Sequence, residues 1–283
     1  MRLSSGRNIV YTVLVVVFLL TTGCTSLFFQ PQKEHVDNPL AKLFLPEDVF
    51  FKTPDGLTLH GWFFKARDNR GSMLVLHGNA ENLSTHVNSV LWLVQEGFNV
   101  FIFDYRGYGK SEGKPTVQGI HIDAEAALET LLTLPGVDKE KIAVLGQSIG
   151  GATSIYLVAT SPYKRYVKAL VIDSVFSDYR LVSREKAGLC CITWPFQYPL
   201  SFLVNNDYSP VKWIQKVSPV PILILHGGQD PVAPLHHGLI LYDAALQPKE
   251  FRETAPPGHT RAFADAVVRK NLVTYLSDRF QTR

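Results

Sequence analysis

The chain has 283 residues, 46% of them hydrophobic and 19% charged, a balance that excludes disordered and collagen-like classes. Its formal charge of +3 falls to +1 once the N-terminal stretch with Arg2, Arg7 and no acid is set aside. A body so near neutrality gives no reason to expect nucleic acid as a partner. No internal repeat, low-complexity tract or Pro/Gly/Ser linker divides it, and α/β folds of this length often form one domain.

The first element in chain order reads as an address. Arg2 and Arg7 precede an apolar run, Ile9 to Leu20, and then Thr21, Thr22, Gly23 and Cys24. A basic start, about 12 apolar residues and a small-residue site form a secretory signal. The run is shorter than the roughly 20 residues a spanning helix needs. Its Gly-Cys ending resembles the bacterial lipoprotein signal, with Leu20 one position further upstream than that signal prefers. The resemblance implies a signal peptide over 1–23 and a lipid-bearing Cys24. It also implies a lipidated tether over 24–45 and a place on a membrane of the bacterial cell envelope. A plain signal anchor or an ordinary cleaved peptide is the competing reading. Thr25 to about Pro39 reads as free tether.

The expected domain runs from 46 to 283. Val49–Lys52 and Leu57–Phe64 flank Pro54-Asp55-Gly56, a turn between two strands. Met73–Leu76 is a third strand, and Leu83–Glu96 a helix stopped by Gly97. Strands then fall at Phe98–Phe103, Ile142–Leu145, Ala169–Ile172, Ile222–Leu225 and Glu250–Thr254. Helices fall at Ile120–Leu134, after Gly146 to about Thr160, near Leu235–Leu246 and near Arg261–Phe280. The strand runs are continuously apolar, the mark of parallel strands buried on both faces. Alternation with helices predicts a three-layer α/β sandwich with a mostly parallel sheet of about eight strands. In such sheets the ligand site lies beyond the carboxyl ends of the strands.

The pattern G-x-S-x-G occurs twice, around Ser111 and around Ser148. A nucleophile elbow needs a strand that turns directly into a helix, with small residues two before and two after the serine. Ser148 meets this test, following Ile142–Leu145 and preceding a helical face of Ala152, Ile155 and Ala159. Ser111 lies several residues beyond its strand, with Pro115 after it, and reads as loop. A helix-capping role for Ser148 would explain one hydroxyl but not the flanking glycines. A serine hydroxyl needs a base, and the base an orienting acid. His259, after the last strand, and Asp230, after Ile222–Leu225 and two glycines, fit the chain order Ser, acid, His. Asp173 is the alternative acid; His77 and His226 also end strands, with His226 expected beside the acid loop. Asp104 is expected to tie down the Tyr105–Gly113 loop. The N–H groups of Ile149 and Asn79 are the candidate oxyanion donors, each worth roughly 3–4 kcal/mol of barrier.

Together, His77-Gly-Asn-Ala-Glu-Asn82, Asp104-Tyr-Arg-Gly-Tyr-Gly-Lys-Ser-Glu-Gly113, Gly146-Gln-Ser-Ile-Gly-Gly151 and His226-Gly-Gly-Gln-Asp230 resemble the α/β-hydrolase superfamily, in the branch of serine aminopeptidases and eukaryotic protein depalmitoylases. The resemblance runs from about Val49 to the C-terminus. It implies the α/β-hydrolase fold and an acyl-enzyme route in which Ser148 attacks, His259 takes its proton and Asp230 holds the imidazole. A small lid is expected at about 175–218. Its apolar stretch Gly188–Val204 reads as a cap packed over the sheet, as an acyl-chain wall, or as a surface facing a membrane.

The expected substrate is a small acyl (or thio-) ester or lipid-like molecule. Metal spacings and phosphate-binding glycine patterns are absent, so neither metal nor cofactor is expected. The alternatives are an aminopeptidase-like amide hydrolase, for which Glu185 and Asp207 would supply amine-binding charge, and a non-catalytic envelope lipoprotein acting as a binding module. Cys190 and Cys191, neighbours that seldom reach disulfide geometry, read as two buried small hydrophobes.

Overall fold

The structure is a computed structural model and describes residues 28–189 and 191–281. Cys24, the signal segment and Cys190 lie outside these residues. Eight strands form the central sheet: β1 Glu47–Lys52, β2 Thr58–Phe64, β3 Gly71–Leu76, β4 Phe98–Asp104, β5 Ile142–Gln147, β6 Val167–Asp173, β7 Ile222–Gly227 and β8 Lys249–Thr254. Their spatial order is β1-β2-β4-β3-β5-β6-β7-β8. Only β2 runs against its neighbours β1 and β4; the other pairings are parallel.

Alternation within the apolar runs divides the core. In β3, Leu74 and Leu76 join one cluster, packed against Ile120, Leu128 and Ile155. Met73 and Val75 join the other, with Leu93, Leu272 and Leu276. The layers come from α1 Val117–Leu131 and α2 Ile149–Thr160 on one face and α6 Ala266–Gln281 on the other. Thr116 caps α1, its side chain accepting from Gly119 N, a contact worth about 1 kcal/mol.

Three local expectations differ from the structure. The stretch 83–96 is not one helix but Leu83–His86, a tighter turn at Val87–Ser89, and Trp92–Gln95. Ser89 Oγ donates to His86 O and to the Gln147 side chain, so its hydroxyl competes with the helical ladder. The free tether ends by Phe28, because residues 28–38 form a strap on the domain. Gln30–Pro31 pairs with Ala80–Glu81, and Asn82 Nδ2 donates to the carbonyls of Gln32 and Glu34. Phe29 is buried in the core. Cys191 is exposed rather than buried.

The lid contains α3 Tyr179–Gly188 and α4 Gln197–Phe202. Asp178 caps α3 by accepting from Leu181 N at 2.9 Å. Tyr179 and Val182 face inward, but the apolar side chains after α3 do not cover the sheet. Leu189, Trp194, Phe196 and Phe202 are each more than half exposed. A helix α5, Leu235–Ala244, then leads into β8.

Candidate active site

Adjacent strands bring the predicted side chains to one end of the sheet. Gln147 lies beside Asp173, and Asp173 beside Leu225, so β5 and β6 finish level and β7 runs two residues further. The Ser148, Asp230 and His259 loops follow β5, β7 and β8.

Ser148 stands between β5 and α2 with φ +55° and ψ −121°, a conformation that costs a non-glycine residue about 1–3 kcal/mol. The turn survives because its neighbours have no side chains to obstruct it. A Cβ on Gly150 would lie 2.1 Å from Leu76 O, and one on Gly146 2.5 Å from Gly150 O. Asp173 O accepts from Ser148 N at 2.9 Å, and Ser148 O accepts from Gly151 N and Ala152 N. The hydroxyl makes no capping bond to α2, so the helix-cap account of this serine fails. Ser111, by contrast, donates to Asp104 O and accepts from His60 N, stapling a loop.

Asp230 and His259 pair directly, with Nδ1 to Oδ2 2.8 Å. A carboxylate only accepts, so Nδ1 carries a proton, and in the neutral ring Nε2 is the free acceptor. The other oxygen, Oδ1, accepts from Val232 N and Ala233 N. Burial pushes the Asp230 pKa up. The His259 hydrogen bond, its charge and the two backbone N–H groups outweigh that and hold it below the ordinary carboxylate range. The His259 loop is fixed on both sides, with Gly258 N on Gln229 O and Thr260 N on Ser174 Oγ.

Asp173 plays a different part. It is fully buried and accepts from Gln147 Nε2 and Ser174 Oγ, not from a histidine. Burial outweighs those bonds and pushes its pKa up to about 6. It therefore braces the residue before Ser148 and, through Ser174, the residue after His259. Asp173 ends its strand and Asp230 stands three residues beyond β7; chain order favours Asp230 as the acid. The bracing role of Gln147 and Ser174 had no sequence signal beyond their place beside the motif.

Asn79 and Ile149 line one cavity with Ser148. The Asn79 peptide is pinned, its carbonyl accepting from Gln30 N and Tyr108 OH. Ile149 begins α2, where an N–H has no intrahelical acceptor and the dipole favours anions. The cavity holds about 190 Å³ and is walled by Phe28, Phe176, Val182 and Val232, with Lys186 at its side. A second, more polar cavity of about 490 Å³ flanks His259 and includes Gln147, Ser89 and Arg261. A groove of about 610 Å³ around Pro219 and Pro248 contains none of these groups.

Other histidines tie down backbone. His226 Nε2 donates to Ala233 O, beside the acid loop as expected. His77 is fully buried, bonded to Gly78 O; burial, then the neighbouring His86, hold its pKa well down. The Asp104 carboxylate accepts from Leu83 N and His35 rather than tying down the 105–113 loop, which its backbone carbonyl holds through Ser111. Two clusters group ligand-type side chains, His35–His60–Asp104 and Glu185–His236–His237. In both, histidines are already bonded to carboxylates, His60 to Asp48 among them, and neither includes Ser148, Asp230 or His259.

Comparison with known proteins follows the same geometry. The family model described as "Serine aminopeptidase, S33" matches residues 67–184. A relative in Escherichia coli K12, named YfhR and described as uncharacterized, is 32% identical over 278 residues, covering 95% of this chain and 92% of its own. The Arabidopsis thaliana α/β hydrolase domain-containing protein WAV2 is 34% identical over 209 residues, 70% of this chain and 66% of that protein. The solved structure of a Pyrococcus furiosus esterase, Pf2001, superposes with a TM-score of 0.71 at 20% identity, covering 90% of this chain and 97% of its own.

Proposed function

Because the chain belongs to the α/β-hydrolase superfamily, we propose that it is a serine hydrolase that cleaves acyl esters or thioesters through an acyl-enzyme. The observation that carries this reading is the His259–Asp230 pair at the same strand ends as a serine held at positive φ. His259 Nε2 takes the Ser148 proton as Oγ attacks the acyl carbonyl. The Asn79 and Ile149 N–H groups stabilise the oxyanion. The imidazolium then protonates the departing alcohol or thiol, and water, activated by the same histidine, releases the acid.

The acyl-ester preference rests on the cavity beside Ser148, whose walls include four apolar side chains and no carboxylate. An aminopeptidase-like enzyme would need acidic groups to grip a substrate amine. Glu185 is instead bonded to His236 and His237, and Asp207 does not line that cavity. In this reading a lipid on Cys24 tethers the enzyme to a membrane of the cell envelope. No helix among the described residues is long and apolar enough to cross one.

The test is hydrolysis of p-nitrophenyl esters of increasing chain length by the wild type and by Ser148→Ala, with fluorophosphonate labelling in parallel. Turnover and labelling should vanish in the variant, a loss on the order of 10⁴-fold or more. A wild type that neither turns over nor labels would leave a binding module.

A further inference from the structure

We propose that the outward face formed by Leu189 and residues 191–203 is a docking surface for a lipid bilayer, and that it seats the rim of the Ser148 cavity on the membrane. The exposed face stands on geometry; the placing of a bilayer beside it also draws on the Cys24 tether of the reading above, and only the consequence for substrate delivery rests on the hydrolase activity.

This face is apolar and turned to solvent. Leu189 and Ile192 are 79% and 77% exposed, Phe202 is 67% exposed, and Trp194, Phe196 and Tyr198 are each more than half exposed. A patch of this kind marks a contact surface. Its composition selects the partner. Trp and Tyr beside Phe and Leu suit the boundary between headgroups and acyl chains. No acidic residue occurs from 186 to 204. The Arg184 guanidinium lies 5.2 Å from the Tyr198 ring centre and that of Arg180 5.8 Å from Phe202, placing cations beside the aromatic rings, where lipid phosphates would lie.

The N-terminal chain reaches the domain at the start of the lid helix that leads into this face. Phe28 meets the ring of Tyr179, the first residue of the lid helix, edge-on at 5.1 Å. Phe28 also walls the Ser148 cavity. Cys24 lies four residues upstream, so at full extension it reaches no more than roughly 14 Å from Phe28. With a lipid on Cys24, as in the reading above, the bilayer is brought within this reach of the first residue of the lid helix. The face and the cavity are continuous. Lys186 and Val232 line both the Ser148 cavity and an adjoining groove of about 410 Å³ that includes Leu189 and Trp194.

The experiment uses the full chain in vesicles of phosphatidylcholine with a minority of phosphatidylglycerol, with and without bromine on the acyl chains. Of four tryptophans, Trp92 is buried and Trp194 alone belongs to this face. Bromolipid should quench the wild type, and Trp194→Phe should abolish most of that quenching while co-sedimentation persists through the N-terminus. Phe196→Ser with Phe202→Ser should weaken quenching of Trp194 in the same way. Equal quenching in wild type and Trp194→Phe would overturn the proposal. So would absent quenching with concentration-dependent cross-linking that the double variant abolishes, which would make the face an interface between copies. None of these readouts needs turnover, so they stand apart from failure of the ester assay. Where turnover is present, the double variant should lose roughly tenfold in kcat/KM on a long-chain ester embedded in vesicles. A short water-soluble ester should change by no more than about twofold.

Discussion

The two sides of the Ser148 cavity are held by different means. At the strand ends, Asp173, Gln147, Ser174, Thr260, His259 and Asp230 are linked by hydrogen bonds of 2.8–3.1 Å among rigid parallel strands. Across from them, the lid is held by the buried side chains of Tyr179 and Val182 and by polar ties. Lys186 Nζ donates to Pro231 O, and Glu185 accepts from two histidines of α5. Chemistry needs reacting atoms fixed to within about an ångström, and a strand-end network supplies that. A surface that meets partners of variable shape needs adaptable apolar groups instead.

The sharpest test of the contrast compares the two buried carboxylates. Asp230→Asn should lower kcat by on the order of 10³–10⁴-fold, because an amide cannot hold the reactive imidazole tautomer. Asp173→Asn should stay within about tenfold by the same ester assay. A reversal would exchange their assignments. Next in size, Gly150→Ala should cost about 3 kcal/mol or more of stability by denaturant titration, since its Cβ meets backbone that cannot yield.

The Asp173 carboxyl has a pKa of about 6 in the fold against 3.8 unperturbed. A raised pKa contributes stability that is full below the unfolded value and is lost as pH rises through about 6. Asp173→Asn should therefore flatten the decline between about pH 4 and pH 8 by on the order of 2–3 kcal/mol. Asp123, also raised to about 6 by burial despite Arg106, retains a slope of the same sign. The smallest effect belongs to the lid: Trp194→Ser with Phe202→Ser should change the melting free energy by no more than about 0.5 kcal/mol, measured without lipid. A larger loss would mean that these side chains pack inward.

The strand-end side was legible from sequence because its determinants are local. Four-residue apolar runs specify strands, and the glycines flanking Ser148 and preceding Asp230 specify turns, all without reference to distant residues. The strap was not legible. Its sequence, Gln30-Pro-Gln-Lys-Glu-His-Val-Asp-Asn38, is polar and aperiodic, and it is held by partners some 50 to 80 positions away, such as Asn82, Asp104 and Ser111. The division of 83–96 into short turns follows from the Ser89 hydroxyl reaching Gln147, 58 positions on. The facing of the lid was open for another reason: an apolar run looks the same whether it covers a core or meets something outside the protein.

The strap also bears on the order of assembly. Residues 28–38 are made early, yet their partners extend to Ser111 and, for Phe28, to Tyr179 in the lid. In a chain emerging from its N-terminal end, the Phe28 end of the strap, made first, finds its Tyr179 partner only after the lid helix has formed. The first described residues of the domain are thus among the last to be locked in place.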